Sequence, residues 1–218
     1  MKVGMAYFLD IDSWDRKAHF EFYATFEDPY YNMSVELDVT TALAYSQQYD
    51  LSFFHICLFL VISAANQTKE FRYRLRDDKV LVHELIHPSC TLLNDNHTFS
   101  FCEFTTVNSF VDFDRLAKQA KQHKKLPGEE VNTEEVRDNL IYFSVIPWVS
   151  FKTFTHPKQG GVKNAIPRMG IGKYFAQGSG YKMPLSVEVN HMCVDGYHLG
   201  QFFQKLQALF DKPEISLV

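Results

Sequence analysis

The chain has 218 residues, of which 46% are hydrophobic and 22% are charged, and its formal net charge is -4 at pH 7. These values are ordinary for a globular protein, and a chain of this length buries most of its apolar surface. The slightly negative charge argues against a nucleic-acid partner, because phosphate-backbone binding depends on clustered Lys and Arg. We expect one domain over residues 1–218. The aromatic content of 15% indicates aromatic pockets or buried subunit interfaces.

The four cysteines form neither a C-x-x-C pair nor a zinc-binding spacing. We expect all four to be reduced, as is usual for thiols in the cytoplasm. No signal peptide is evident, and the longest apolar stretch, residues 53–65, is too short to span a bilayer. The sequence therefore predicts a cytoplasmic protein with no membrane partner.

Hydrophobic periodicity and turn residues predict an interleaved series of strands and helices. In chain order, the first half is predicted to contain a strand at 33–39, a helix capped by Thr40 or Thr41, a long buried helix at 51–70, a hairpin of strands at 71–75 and 80–86, a strand at 98–106 and a helix at 111–124. The second half is predicted to contain a polar connection at 126–135, strands at 140–145 and 149–154, a loop at 156–169, a strand at 184–189 and a closing helix at 198–210. This order predicts an α+β or mixed α/β fold around one sheet.

The last predicted strand leads into the pattern His191-x-x-x-Asp195-Gly196. A histidine at a strand end can project into a cleft, and the ordinary histidine pKa of about 6.5 suits general-base catalysis. Asp195 can fix the turn, and Gly196 gives the backbone freedom to begin a helix. Taken alone, the pattern more often marks a loop histidine followed by a capping aspartate and a turn glycine. A metal site built from His191, Cys193 and His198 lacks a fourth ligand and a regular spacing, so we expect no metal.

Two further segments lie at 14–23 (WDRKAHFEFY) and 144–154 (SVIPWVSFKTF). Together with 190–200 (NHMCVDGYHLG) they resemble, in the same order, the chloramphenicol acetyltransferase family, and the resemblance extends from about residue 10 to 210. It implies a mixed α/β, two-layer fold of the coenzyme A-dependent acyltransferase type. It also implies acetyl-CoA as co-substrate and a homotrimer whose active sites lie between subunits.

The resemblance assigns roles to individual residues. His191 matches the catalytic base, and Ser144 matches the serine that donates a hydrogen bond to the tetrahedral oxyanion. Asp195 and Arg16 match a structural ion pair beside the histidine. The coenzyme site is matched by Lys173 and Tyr174, although a further lysine of that site is replaced here by Ser52.

The acceptor pocket implied by the resemblance is lined by aromatic residues. The matching positions are Phe22, Tyr23, Tyr31, Phe99 and Phe154, and Phe101 is also expected to lie in this pocket. Three positions depart from the family pattern: Phe101 replaces a small residue, His156 replaces an aliphatic residue and Gly170 replaces a threonine. A fourth, Asn190, replaces the first histidine of the usual His-His pair, which is not the catalytic one. These departures leave the acid–base residues in place but alter the acceptor pocket.

The expected function is therefore acetyl transfer from acetyl-CoA to a hydroxyl of chloramphenicol or a similar aromatic xenobiotic, as in antibiotic resistance. One alternative is the same chemistry on a different small-molecule hydroxyl acceptor. Another is a non-catalytic trimer that binds a ligand. The presence of His191, Ser144, Asp195 and Arg16 together favours an enzyme.

Overall fold

A computed structural model describes residues 6–127, 137–158 and 164–217 of the chain. The strands are β1 (Tyr7–Phe8), β2 (Tyr30–Asp38), β3 (Tyr73–Arg76), β4 (Lys79–Val82), β5 (His87–Leu93), β6 (Phe99–Glu103), β7 (Leu140–Ile146), β8 (Arg168–Gly172), β9 (Phe175–Gln177) and β10 (Gly180–Asn190). The α-helices are α1 (Lys17–Ala24), α2 (Thr40–Gln48), α3 (Phe53–Asn66), α4 (Phe110–Ala120), α5 (Gly196–Asp211) and α6 (Glu214–Leu217). Short 3-10 helices occur at Lys69–Arg72 and Lys121–His123.

The larger sheet is mixed, with strand order β2-β10-β8-β7-β5-β6 and with β9 paired to β10. β7 is parallel to both of its neighbours, β5 and β8, whereas the other pairs are antiparallel. A parallel pair requires a crossover connection, and the chain between β5 and β7 includes β6 and helix α4. The mixed α/β fold predicted from the sequence is confirmed.

A second, three-stranded sheet has the order β1-β4-β3. The predicted hairpin is present as β3 and β4, joined through Asp77, whose φ of 52° lies in the left-handed region tolerated by aspartate in tight turns. The prediction of one sheet was wrong, because β4 pairs with β1 instead of joining the larger sheet.

The helices cover one face of the larger sheet. Ten residues of α3 are buried, and α3 contacts both α4 and α5. On β10, Leu185, Val187 and Val189 are at most 1% exposed, and burial of each such side chain contributes roughly 1.5–3 kcal/mol. The predicted helix at 51–70 corresponds to α3 and the start of the following 3-10 helix.

The opposite face of the sheet carries small and polar side chains. Register places Ser34, Ser186, Gly170 and Ser144 opposite one another on β2, β10, β8 and β7. The segment at 147–158, called here the crossing segment, includes Phe154, whose ring lies over Gly170. The row of small residues therefore leaves room for an aromatic segment on this face.

The strand predicted at 149–154 is absent, because this part of the crossing segment is an irregular loop. The carbonyl oxygen of Phe154 accepts hydrogen bonds from Asn32 Nδ2 at 2.9 Å and Ser186 Oγ at 2.6 Å. Side chains of the sheet thus satisfy a backbone group that a strand would pair with a neighbouring strand. The loop instead places Phe151 and Phe154, three residues apart, over two glycines of β8.

Three smaller differences concern local chemistry. Helix α2 begins at Thr40 with Val39 at the N-cap, and Thr40 Oγ1 instead accepts a hydrogen bond from the backbone of Tyr181 at 2.8 Å. Strand β5 was not predicted, because its short sequence contains a proline and little alternation. The predicted connection at 126–135 and loop at 156–169 extend outside the described residues.

All four cysteines are free and buried. No helix in the described ranges combines the length and hydropathy needed to cross a bilayer.

Candidate active site

His191 is the first residue after β10 and begins a tight turn. Its backbone N–H donates to the carbonyl of Pro29 at 2.8 Å. The carbonyl of Asn190 accepts from the backbone of Cys193 and Val194, while Asn190 Oδ1 accepts from Met192 N at 2.9 Å. Asn190, which replaces a histidine of the family pattern, thus holds the turn that presents His191. No pattern in the sequence indicates the role of Pro29.

The imidazole of His191 contacts two tyrosines. The Tyr23 ring, from α1, stacks on it with centroids 4.0 Å apart and planes 13° apart, and the Tyr31 ring, from β2, lies 4.6 Å away at 35°. Both tyrosines were expected to line the acceptor pocket, and the structure places both against His191. The His191 Nδ1 atom is buried without a hydrogen-bond partner among the described residues. Ring contacts therefore fix the orientation of the imidazole.

Arg16 and Asp195 form the ion pair expected beside His191. The Arg16 guanidinium also approaches the His191 carbonyl, with Nη2 3.5 Å from that oxygen. Burial opposes ionisation of Asp195, but His198 and Arg16 together hold its pKa below the usual value. The ion pair thus joins the segment before α1 to the turn that carries His191.

His198 is a residue of this site that the sequence did not identify as such. Its Nδ1 atom accepts a hydrogen bond from the Asp195 backbone N–H at 3.1 Å, and the two residues form a capping box at the start of α5. Burial lowers the pKa of His198, while the Glu70 and Asp195 carboxylates oppose this shift. The spacing of three residues after an N-cap aspartate is the signal that would have found it.

The buried Tyr31 hydroxyl has no hydrogen-bond partner among the described residues. Burial and the nearby Asp195 carboxylate raise the pKa of Tyr31 well above its usual value. Tyr31 therefore remains a neutral phenol at physiological pH, with its ring against His191 and its hydroxyl close to the charged pair.

Ser144 lies on β7, far from His191 of the same chain. Register aligns Ser144 with Gly170 and Ser186, which places it two strands from β10, roughly 10 Å away across the sheet. His191 lies five residues beyond Ser186, about 16 Å further along β10. Two side chains that act on one carbonyl must both lie within a few ångströms of it. One chain therefore does not bring Ser144 and His191 to a single reacting centre.

The remaining aromatic residues predicted for the acceptor pocket lie in three separate places. Phe22 is 58% exposed and contacts Tyr23 and Phe26, with ring centroids 5.1 and 5.2 Å away. Phe99 and Phe101 meet edge to face on β6 with centroids 5.5 Å apart. Phe154 belongs to the crossing segment on the Ser144 side of the sheet. The predicted acceptor residues are therefore divided between the His191 region and the Ser144 region.

Lys173 and Tyr174 follow β8 and are exposed. The Lys173 N–H donates to the carbonyl of Val149 at 2.9 Å, which ties this turn to the crossing segment. The Tyr174 ring meets Phe53, the first residue of α3, edge to face at 5.5 Å. The Ser52 hydroxyl accepts from His55 N and caps α3, so Ser52 serves the helix and brings no positive charge. An exposed lysine and tyrosine suit a phosphate and an adenine ring respectively.

Within the described ranges, no cluster of three or more His, Cys, Asp or Glu side chains is arranged to hold a metal ion. Of the residues weighed as ligands, Cys193 is buried and His198 is engaged by Asp195.

The whole chain is similar to a set of known acetyltransferases. The family model described as chloramphenicol acetyltransferase matches residues 5–207. A chloramphenicol acetyltransferase of Clostridium perfringens is 30% identical over 212 residues, covering 96% of each chain. One of Proteus mirabilis is 26% identical over 209 residues, covering 94% of each. A solved chloramphenicol acetyltransferase structure, 25% identical, superimposes with a TM-score of 0.83 over 94% of this chain and 100% of its own.

The two-layer fold and these matches along almost the full length define the chain as an acyltransferase. The expectation of an enzyme is confirmed. More specifically, the chain belongs to the chloramphenicol acetyltransferase family.

Proposed function

We propose that this acyltransferase transfers the acetyl group of acetyl-CoA to a hydroxyl of chloramphenicol or a similar aromatic alcohol, with His191 as general base. The observation that carries this proposal is the setting of His191. Its imidazole is oriented by Tyr23 and Tyr31 next to the Arg16–Asp195 ion pair. A fixed imidazole at a strand end is the arrangement that general-base catalysis requires.

In the proposed reaction, His191 takes the proton of the acceptor hydroxyl while that oxygen attacks the thioester carbonyl carbon. The Ser144 hydroxyl donates a hydrogen bond to the oxyanion that forms. When the carbon–sulfur bond breaks, the sulfur leaves with the proton held by His191. The products are the acetyl ester and free coenzyme A, and His191 returns to its neutral form.

We further propose that the enzyme is a homotrimer in which each active site combines His191 of one subunit with Ser144 of the next. The separation of these residues along the sheet of one chain supports this arrangement, because a single chain cannot place both at one carbonyl. Exposed aromatic residues such as Phe22 and Trp148, which are 58% and 61% exposed, supply apolar surface for subunit contacts.

Complementation tests this arrangement directly. His191→Ala alone should be inactive, and Ser144→Ala alone should retain less than about 1% of wild-type activity. When both variants are co-expressed and assemble at random, about a quarter of the sites should combine an intact His191 with an intact Ser144. Recovery of about a quarter of wild-type activity in the whole randomly assembled population, or about a third in purified mixed trimers, would support the shared site. No recovery in trimers verified to be mixed would exclude it.

The acceptor itself is open to a second proposal, in which the same chemistry acts on another hydroxyl compound. The observations that favour it are Phe101 and His156 on the acceptor side, together with Gly170 beneath Phe154. Coenzyme A release in the presence of individual alcohols, followed by mass spectrometry of the products, distinguishes the two. Release that requires chloramphenicol supports the first acceptor, whereas release with other alcohols alone supports the second.

Two broader expectations remain proposals. Residues 1–218 are proposed to form a single domain, which is supported by one hydrophobic core that draws on both sheets and on the helices. Residence in the cytoplasm is proposed because the four cysteines are free.

A further inference from the structure

His156 lies in the crossing segment, close to the residue proposed to hold the oxyanion. Its ring meets the Phe154 ring edge to face, with centroids 4.8 Å apart and planes 89° apart. Phe154 in turn lies over Gly170, whose neighbour on β7 is Ser144. His156 is thus one aromatic ring removed from the strand position next to Ser144. This placement, taken with the proposed function, puts it in the wall of the acceptor pocket.

Both ring nitrogens of His156 are buried and have no hydrogen-bond partner among the described residues. Burial, with a smaller contribution from Arg168, lowers the pKa of His156 to about 4. The ring is therefore neutral near pH 7 and offers one N–H donor and one lone-pair acceptor. Buried polar atoms in native proteins almost always form hydrogen bonds. The two ring nitrogens of His156 are therefore expected to bind a group that both accepts and donates a hydrogen bond.

Two buried charged residues lie near His156. The Glu188 carboxylate, which is 3% exposed, lies near the His156 backbone. Arg168, which faces Glu188 across β8 and β10, is 8% exposed, and its Nη1 atom lies 3.7 Å from Glu188 Oε1. The edge-to-face contact with Phe154 and these buried neighbours restrict rotation of the His156 ring.

The charges around His156 are balanced. Arg168 faces Glu188, and Lys158 pairs with Asp28 at 2.6 Å. Both cations also lie over the ring of Tyr30, at 5.1 Å for Arg168 and 4.7 Å for Lys158. Among the described residues this wall carries no net charge, so an ionic ligand gains little from it. The wall suits an uncharged hydrogen-bonding group.

We infer that His156 is a specificity-determining residue that receives a neutral group able to accept and donate hydrogen bonds, a hydroxyl or a carboxamide, at a position where chloramphenicol carries its dichloroacetyl or nitro group. The inference rests on the proposed function. The inference predicts that this enzyme prefers acceptors that place a polar group against His156. An enzyme with an aliphatic residue at this position would instead prefer acceptors with an apolar group there.

The test compares chloramphenicol with two analogues. In one, a hydroxyacetyl group replaces the dichloroacetyl group, and in the other a carboxamide replaces the nitro group. We expect the wild-type enzyme to give a higher kcat/KM with at least one analogue than with chloramphenicol. His156→Leu should shift that ratio at least tenfold toward chloramphenicol, whereas His156→Asn, which keeps a donor and an acceptor, should retain most of the preference.

Phe151→Leu is the matched control, because Phe151 lies in the same segment but over Gly172, and it should leave the ratio within twofold of wild type. A ratio that stays within twofold of wild type in His156→Leu would overturn the inference while turnover still supports the proposed function. If no variant acetylates any of the three alcohols, the proposed function fails, and calorimetric binding of the same compounds then decides the role of His156. His156→Met replaces the leucine variant if that variant does not fold.

Discussion

The imidazole of His191 and the phenol ring of Tyr23 are nearly parallel, with 13° between their planes and 4.0 Å between their centroids. Stacking of this kind restricts rotation of the imidazole about its bond to the chain. The polar edge of the ring, which carries both nitrogens, is then presented in one direction. Tyr23 and Tyr31 therefore act as positioning residues for the proposed base, whatever part they also take in binding the acceptor.

Replacement of His191 by alanine should abolish turnover and leave the protein folded. The reason is that the neighbours of His191 hold the turn through backbone atoms, which alanine retains. Coenzyme A release measures the first effect, and circular dichroism with thermal melting measures the second. His123→Ala, at an exposed histidine, is the control and should keep full activity. Activity of His191→Ala within tenfold of wild type would contradict the assignment of His191 as general base.

Ser144→Ala should lower kcat by roughly 10²–10³, the effect of removing one oxyanion donor in other acyl-transfer enzymes. A donor that acts only in the transition state leaves ground-state binding almost unchanged. Steady-state kinetics should therefore give an altered kcat with KM for acetyl-CoA close to the wild-type value. A change confined to KM would assign Ser144 to substrate binding instead.

The Arg16–Asp195 ion pair should make stability depend on acid pH. Asp195 has its pKa held below the ordinary 3.8 in the folded state, so its ionised form stabilises the fold at and above that value. The contribution is lost as pH falls below about 4 and through the folded-state pKa. Asp195→Asn removes the charge and leaves Arg16 without its partner.

The variant should be less stable than wild type at pH 7, by less than the roughly 3–5 kcal/mol typical of a fully buried pair, because the Asp195 side chain is 27% exposed. The difference between the two proteins should narrow as pH falls below 4. Urea unfolding at equal protein concentrations over this pH range measures it. A difference that stays constant with pH would mean that Asp195 acts through packing and not through charge.

Gly170 should tolerate no larger side chain while Phe154 is present. A Cβ atom there would lie 2.5 Å from Phe154 Cδ1, closer than van der Waals contact allows. Gly170→Ala should therefore cost about 1–3 kcal/mol of unfolding free energy and reduce activity by displacing the crossing segment. Phe154→Leu in the same chain should recover part of the lost stability. Gly200→Ala in α5, where nothing lies within 4 Å of the added atom, is the control and should not destabilise.

The parts of the fold that follow from local chemistry were predictable. Alternation indicated β2, the apolar run indicated α3 and the turn at Asp77 indicated the hairpin, since each pattern is set within a few residues. The crossing segment was not predictable in this way. Its apolar residues Val149 and Phe151 alternate with polar ones and so imitate a strand. Only the tertiary structure reveals that two glycines of β8, distant in sequence, provide the surface on which Phe151 and Phe154 pack.

The candidate site also contains some features that were predictable from the sequence and others that were not. His191 and Asp195 share one short segment, so their pattern is visible in the sequence. The hydrogen bond from His191 to Pro29 and the stacking of Tyr23 depend on chain segments more than 160 residues apart, and no local pattern encodes them. The separation of Ser144 from His191 follows from strand order and register, which hydrophobic periodicity does not specify.

Phe101→Ala is the prediction that bears most directly on the acceptor. Phe101 pairs with Thr91 on β5 and bonds through its backbone to Lys125, so the strand position is fixed while the ring projects beside Phe99. The family pattern has a small side chain at this position, so the Phe101 ring reduces the volume of the acceptor pocket. A packed pocket cannot accommodate the added ring unless another group moves. Because the backbone bonds persist in the alanine variant, the change should be confined to the pocket.

We expect a low kcat/KM for chloramphenicol in the wild-type enzyme. In Phe101→Ala this kcat/KM should rise about tenfold, which is the size of effect that a small change in pocket volume produces. Leu93→Ala, at an exposed residue of the adjacent strand, controls for effects on the sheet edge and should leave kcat/KM unchanged. The gain should appear in kcat/KM for chloramphenicol and be absent from KM for acetyl-CoA, since the ring obstructs only the acceptor. A wild-type enzyme close to the diffusional limit, together with a Phe101→Ala variant that only loses activity, would place the Phe101 ring among the groups that bind chloramphenicol.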